Sequence, residues 1–275
     1  MEKINKLKKF FQNEGIDGYI IPKNDEFFGE YIPDYKDRLK YISDFSGSYG
    51  FALILNSQNY LFVDGRYTLQ ANKQSGKFFK IKTIPHELPE KILGNKKLKI
   101  GFDPKLFTTK TLNIFFGKTN CKYIPLNNNL IDKIWRRRKA KGENKFFKLP
   151  SSSVGESYKS KINKIFLKLK KNGADYQFIT ASENNAWLLN IRGNDSKYTP
   201  IPCCYILFDK KKNINFFCDL EKISASFKKS FNKIKFFNIK NTNLVLSQIY
   251  KKNIMIDKNT CSKYFESIIL KNNKI

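Results

Sequence analysis

With a single histidine, this 275-residue chain has few routes to catalysis. His86 lies between Pro85 and Glu87-Leu88-Pro89, in what reads as a loop. A Ser-His-Asp or Cys-His arrangement would have to use that imidazole. No G-x-S-x-G motif or Cys-His spacing surrounds it, so His86 reads as an ordinary surface residue. No G-x-G-x-x-G or G-x-x-x-x-G-K-[ST] phosphate loop occurs, and Gly47-Ser48-Tyr49-Gly50 is too short and precedes a strand. The 24 carboxylates show no dense cluster of metal-ligand character. The sequence therefore offers no catalytic residue and no metal ligand. One basic residue stands apart: Arg66 opens a helical stretch, where the helix dipole disfavours a cation, which hints that it is held for another purpose.

Its setting is a dense block of motifs. Glu30-Tyr31-Ile32-Pro33 is followed by Arg38-Leu39-Lys40-Tyr41-Ile42-Ser43-Asp44-Phe45-Ser46-Gly47-Ser48-Tyr49-Gly50, then by Phe62-Val63-Asp64-Gly65-Arg66-Tyr67-Thr68-Leu69-Gln70-Ala71. Gly47 and Gly50 allow a tight turn before a hairpin, and Asp64-Gly65 ends its second strand and caps the next helix.

The elements that must position this block read as one unit written twice. Ile4, Leu7, Phe10 and Phe11 share a helical face, Gly15 stops the helix, and Gly18–Pro22 is a strand. The pattern returns with Ile162, Ile165, Phe166 and Leu169, then Asn172-Gly173 and a strand over 175–179. Hairpins follow at 51–55/60–63 and 205–208/214–218, then strands at 80–84 and 233–239, and at 99–102 and 253–256. Asp17, Asp64 and Asp103 match Asp175, Asp219 and Asp257 at offsets of 158, 155 and 154. Such a small drift predicts two copies of one α/β domain, about 1–134 and 151–275, joined by a linker over 135–150 that carries Arg136–Arg138, Gly142 and Pro150. The first copy ends on a helix (109–116) and a strand (121–125), which puts the second copy's last strand at about 275–279. The second domain is therefore expected to lack that strand, as in a piece of a longer protein.

Composition bounds the rest. With 41% apolar residues the chain can bury a core, which excludes disorder as its main state. The net charge of +28 raises nucleic acid or anionic membrane as partners, but only six of the 52 basic residues are Arg. The joint excess of Lys, Asn, Ile and Phe fits the codon bias of an AT-rich genome and a solvated lysine surface. Neither nucleic acid nor membrane is expected. Five cysteines without a C-x-x-C pair fit reduced core thiols, and residues 1–14 carry no signal-peptide pattern. The expected compartment is the cytoplasm.

The motif block resembles the N-terminal domain of the Xaa-Pro aminopeptidase (aminopeptidase P) family, related to creatinase and prolidase N-terminal domains. Asn129-Leu130-Ile131-Asp132-Lys133-Ile134-Trp135 and Ala186-Trp187-Leu188-Leu189-Asn190-Ile191-Arg192-Gly193-Asn194-Asp195, with Tyr198 and Pro200, extend the resemblance across the chain. It implies two similar mixed sheets flanked by helices, of the ribonuclease H-like kind, as in the long three-domain form. In that form a third domain removes an N-terminal residue preceding proline, using two divalent metals, manganese or similar, on two Asp, one His and two Glu. None of those ligands falls in this chain, which alone is expected to be inactive. The resemblance makes Arg66 a substrate-binding residue; a structural ion pair is the other reading. Arg192 would order its loop or face the catalytic domain. Capping of the substrate channel, a peptide substrate and a full-length homodimer are implied too. The alternative is a stand-alone, non-catalytic peptide- or protein-binding module. Two departures stand out: Glu26-Phe27-Phe28-Gly29 lacks the family's usual His, and Glu183-Asn184-Asn185 lacks its Asp-Glu.

Overall fold

A computed structural model describes residues 1–135, 145–196 and 198–275. The chain divides into two compact units, Met1–Glu26 with Asp34–Ala140, and Phe27–Pro33 with Lys141–Ile275.

In the first unit, helix α1 (Glu2–Asn13) buries Ile4, Leu7 and Phe11 and gives way at Gly15, whose φ of +62° is left-handed. Strand β1 (Gly18–Pro22) is buried along its whole length. Then come α2 (Arg38–Ser43), the hairpin β2 (Gly50–Leu55) and β3 (Asn59–Asp64), α3 (Thr68–Ser75), β4 (Lys80–Ile84), α4 (Pro89–Leu93), β5 (Lys99–Phe102), α5 (Thr109–Phe116), β6 (Lys122–Pro125) and α6 (Leu130–Ile134). The sheet order is β4-β3-β2-β1-β5-β6, with β2 antiparallel to both neighbours and the outer pairs parallel. Its two faces carry separate apolar clusters, one around Leu7, Tyr19 and Phe45, the other around Phe62, Ile100 and Phe116.

The second unit holds β7 (Phe147–Lys148), α7 (Tyr158–Lys171), β8 (Tyr176–Ile179), α8 (Ser182–Leu189), β9 (Ile191–Arg192), β10 (Cys204–Asp209), β11 (Ile214–Cys218), α9 (Ala225–Lys229), β12 (Ile234–Asn238), α10 (Thr242–Ser247), β13 (Ile254–Ile256) and α11 (Lys263–Asn272). Its main sheet runs β12-β11-β10-β8-β13, the order and strand directions of β4-β3-β2-β1-β5. Beyond β13, where β6 would stand, there is one parallel bridge, Asn253 to Lys274. The corresponding pair in the first unit is Lys99 with Lys122.

The matched aspartates make the same hydrogen bonds in both copies. Asp17 accepts a hydrogen bond from the Lys99 N–H, and Asp175 from that of Asn253. Asp64 and Asp219 cap 3-10 turns by accepting from Arg66 and Glu221 N–H groups. Asp103 and Asp257 accept from N–H groups two residues on, at Lys105 and Asn259. Each pair marks the same place in its own sheet: Asp17 and Asp175 just before β1 and β8, the other four at or just after the ends of β3, β11, β5 and β13.

Three expectations need adjustment. Arg136–Arg138 and Gly142 of the expected linker lie outside the described residues, and Phe147–Lys148, also within it, pairs with Ile191–Arg192 as a short antiparallel ribbon. Arg66 and Tyr67 lie in a 3-10 turn (Gly65–Tyr67) that precedes α3 rather than in the helix itself. Of the five thiols, all free, Cys204, Cys218 and Cys261 are buried, but Cys121 and Cys203 are only half-buried. Burial pushes the Cys218 and Cys261 thiols up to about 12.

Candidate functional site

The loop before β2 and the turn after β3 come together around Arg66. Gly50 adopts φ +153°, and a Cβ there would lie 2.4 Å from the Phe62 carbonyl oxygen. At Gly47 a Cβ would meet the buried Phe45 ring at 2.2 Å. Both glycines are needed to seat this loop on the hairpin. The Tyr67 ring meets Phe45 edge-on at 5.8 Å, and its hydroxyl is 2.8 Å from that of Ser48. Gln70 and Gln74 both donate to the Ser46 hydroxyl, and Ala71 is fully buried. Most of the D-G-R-Y-x-x-Q-A motif is thus a clasp that fixes residues 46–50 against α3.

Arg66 is the exception. Its side chain is 76% exposed. Its Nε donates to both Asp64 oxygens, at 3.1 and 3.0 Å, and Nη2 donates to Oδ2 at 2.6 Å. The guanidinium carbon lies 5.6 Å from the centre of the Tyr67 ring. The hydrogen bond from Arg66 holds the Asp64 carboxyl below the usual carboxylate range and raises the guanidinium in turn. An ion pair so open to water adds little to stability.

The internal duplication separates the cap from the arginine. Strand register matches Asp64 with Asp219, which places Glu221 at the position of Arg66. The second copy keeps the turn and the aspartate cap with the opposite charge at that site. The fold does not require an arginine there.

The other motifs hold structure. Arg38, only 4% exposed, donates to Asp132 at 2.7 and 3.0 Å and to Glu26 at 2.7 Å, while Tyr41 stacks on Trp135 at 4.6 Å. This locks the R-L-x-Y segment to the N-L-I-D-K-I-W segment. Burial raises the Glu26 carboxyl, but Lys36 and Arg38 outweigh it, so the net direction is down. In the second unit Asn190, at φ +54°, accepts from the buried Lys161 ammonium, which also donates to the Trp187 carbonyl oxygen and lies 4.1 Å from the indole centre. The Asp195 carboxylate accepts from the Cys203 N–H at 2.6 Å and from Lys222. Arg192 donates to the Ile191 carbonyl oxygen. His86 is exposed in its loop.

Among the described residues, no group of three or more His, Cys, Asp or Glu side chains is placed to hold a metal ion. They do not fit the metal pair that the resemblance implies. No helix among them is long and apolar enough to cross a membrane.

Two mixed sheets that share the order and directions of five strands, with aspartates at the same places, define a duplicated α/β domain of the creatinase/prolidase N-terminal class. Family models described as the creatinase/prolidase N-terminal domain match residues 3–134 and 137–275, and the chain belongs to that family. It is 32% identical over 217 residues to a probable Xaa-Pro aminopeptidase P of Laccaria bicolor, covering 74% of this chain and 33% of that protein. Against Xaa-Pro aminopeptidase 1 of Dictyostelium discoideum it is 30% identical over 246 residues, covering 81% and 38%. The crystal structure of X-prolyl aminopeptidase from Caenorhabditis elegans, described as a cytosolic enzyme with a di-nuclear active site, matches 99% of this chain and 49% of its own at 25% identity and TM-score 0.89. The chain spans a third to two fifths of the length of these curated relatives.

Proposed function

We propose that this chain is the N-terminal, non-catalytic part of a cytoplasmic Xaa-Pro metallo-aminopeptidase. Such an enzyme removes an N-terminal residue preceding proline, and its N-terminal part caps the substrate channel. One observation carries the reading: nearly the whole chain follows about half of the C. elegans enzyme, at TM-score 0.89. The two metal ions and the hydrolytic chemistry are assigned to the rest of the enzyme, which would also complete a homodimer.

Arg66 is the residue through which this part contacts the peptide. Its exposure and the glutamate at the matching site of the second copy support that role. A guanidinium presents planar, permanently charged donors suited to a peptide carbonyl or carboxylate. The test is turnover of a peptide with proline second by the enzyme that carries this chain, with and without Arg66→Ala. A fall in kcat/KM of about tenfold or more is expected, and unchanged kinetics would remove Arg66 from the substrate contact.

A further inference from the structure

The second unit has a groove at the amino ends of β11 and β12, with a cavity of about 490 Å³. Its lining separates by chemistry. Ile162, Ile214 and Ile234 are buried and, with the half-buried Tyr158, form an apolar floor. Around them stand the exposed Lys159, Lys212, Lys229 and Lys233. No carboxylate lines the groove, and among the described residues none forms an ion pair with these four ammonium groups. Glu156 and Asp209, the acidic residues just before two lining segments, are engaged elsewhere. Glu156 accepts from Ser160 and Lys164, and Asp209 from the N–H groups of Lys211 and Asn213 and the Asn213 amide. Lys212 is steadied by Asn163 at 2.9 Å.

The first unit is built differently at the same place. The register of β3 with β4 and of β11 with β12 puts Phe78 where the second unit has Lys233, and Asn59 where it has Ile214. Phe78 packs on the first unit's core, and the Asn59 amide donates to the Phe78 carbonyl oxygen at 3.0 Å. The second copy puts a lysine where the first packs an aromatic ring. Four cationic side chains around one concavity give it a positive potential that an anion would neutralise, and the volume suits a small molecule.

We infer that this groove binds a small molecule that carries several phosphate groups and an apolar or planar body: the phosphates between the lysines, the body on the isoleucine and tyrosine floor. This site is independent of the peptidase reading.

Calorimetry of the 275-residue chain with ATP, inorganic tripolyphosphate and adenosine, without added metal, tests it. One ATP per chain is expected, with tripolyphosphate weaker because it leaves the floor uncovered and adenosine undetectable because it lacks the charge. Lys229→Gln with Lys233→Gln should weaken ATP binding by about tenfold or more. Lys170→Gln with Lys171→Gln removes the same charge from the far end of α7 and should change it by less than about twofold. Equal losses in the two double variants would show only the general pull of a basic surface and overturn the site. So would tripolyphosphate binding as tightly as ATP, or an absence of saturable binding by the wild-type chain. Unchanged melting temperatures confirm that both variants fold.

Discussion

Arg66 and Arg38 sit 28 positions apart in the same motif block and do opposite work. Arg38 is sunk between Glu26 and Asp132, whereas Arg66 reaches into water, steadied by Asp64 and lying near the Tyr67 ring. Replacing Arg66 by Ala should therefore leave the melting temperature within about 2 °C, since an exposed pair contributes little; a drop as large as that of a core variant would mark it as structural. Glu26 gives a pH signature of the buried network. Its carboxyl titrates below its ordinary value of 4.5 in the folded chain, so the unfolded chain takes up the proton first as pH falls. Its contribution is complete above that value and is lost as pH drops through the folded pKa. Urea denaturation at pH 7 and pH 4 should show a larger loss for wild type than for Glu26→Gln. Equal losses would detach Glu26 from Arg38 and Lys36.

At the scale of elements, the turns decide which substitutions the fold tolerates. Gly50→Ala places a methyl against the Phe62 carbonyl oxygen in a left-handed conformation and should cost about 2 kcal/mol or more in urea melts. Asn190 tests the second unit in a graded way. Gly at this position keeps the left-handed cap but leaves the buried Lys161 ammonium one acceptor short, whereas Ala loses both. Asn190→Ala should be less stable than Asn190→Gly by about 1 kcal/mol, with both below wild type. An equal cost for the two would mean that the backbone angle contributes nothing.

Much of this layer is readable from sequence because it is local. Apolar periodicity marks α1 and α7, and the aspartates that flank strands repeat at a near-constant offset. The Arg38–Asp132 pair, 94 positions apart, and the seat of Lys161 under Trp187 are invisible to such reading, since nothing local brings the partners together. The replacement of Arg66 by Glu221 was available by adding the 155-residue offset of the matched aspartates, and it separates cap from arginine more directly than the dipole argument. The basic groove was hidden for another reason: with 46 lysines spread along the chain, four that converge only in space leave no pattern in one dimension.

For the whole molecule, the proposal is that the two copies of a creatinase/prolidase N-terminal domain serve an enzyme whose chemistry lies outside them. The most direct measurement is the initial rate at which the N-terminal residue is released from a peptide with proline second, with manganese present. It is made on the purified 275-residue chain and on the same chain joined to the C-terminal portion of a relative. The expected result is a rate for the chain alone equal to the metal-only blank, and turnover by the joined protein. Release by the chain alone that rises in proportion to its concentration would contradict it.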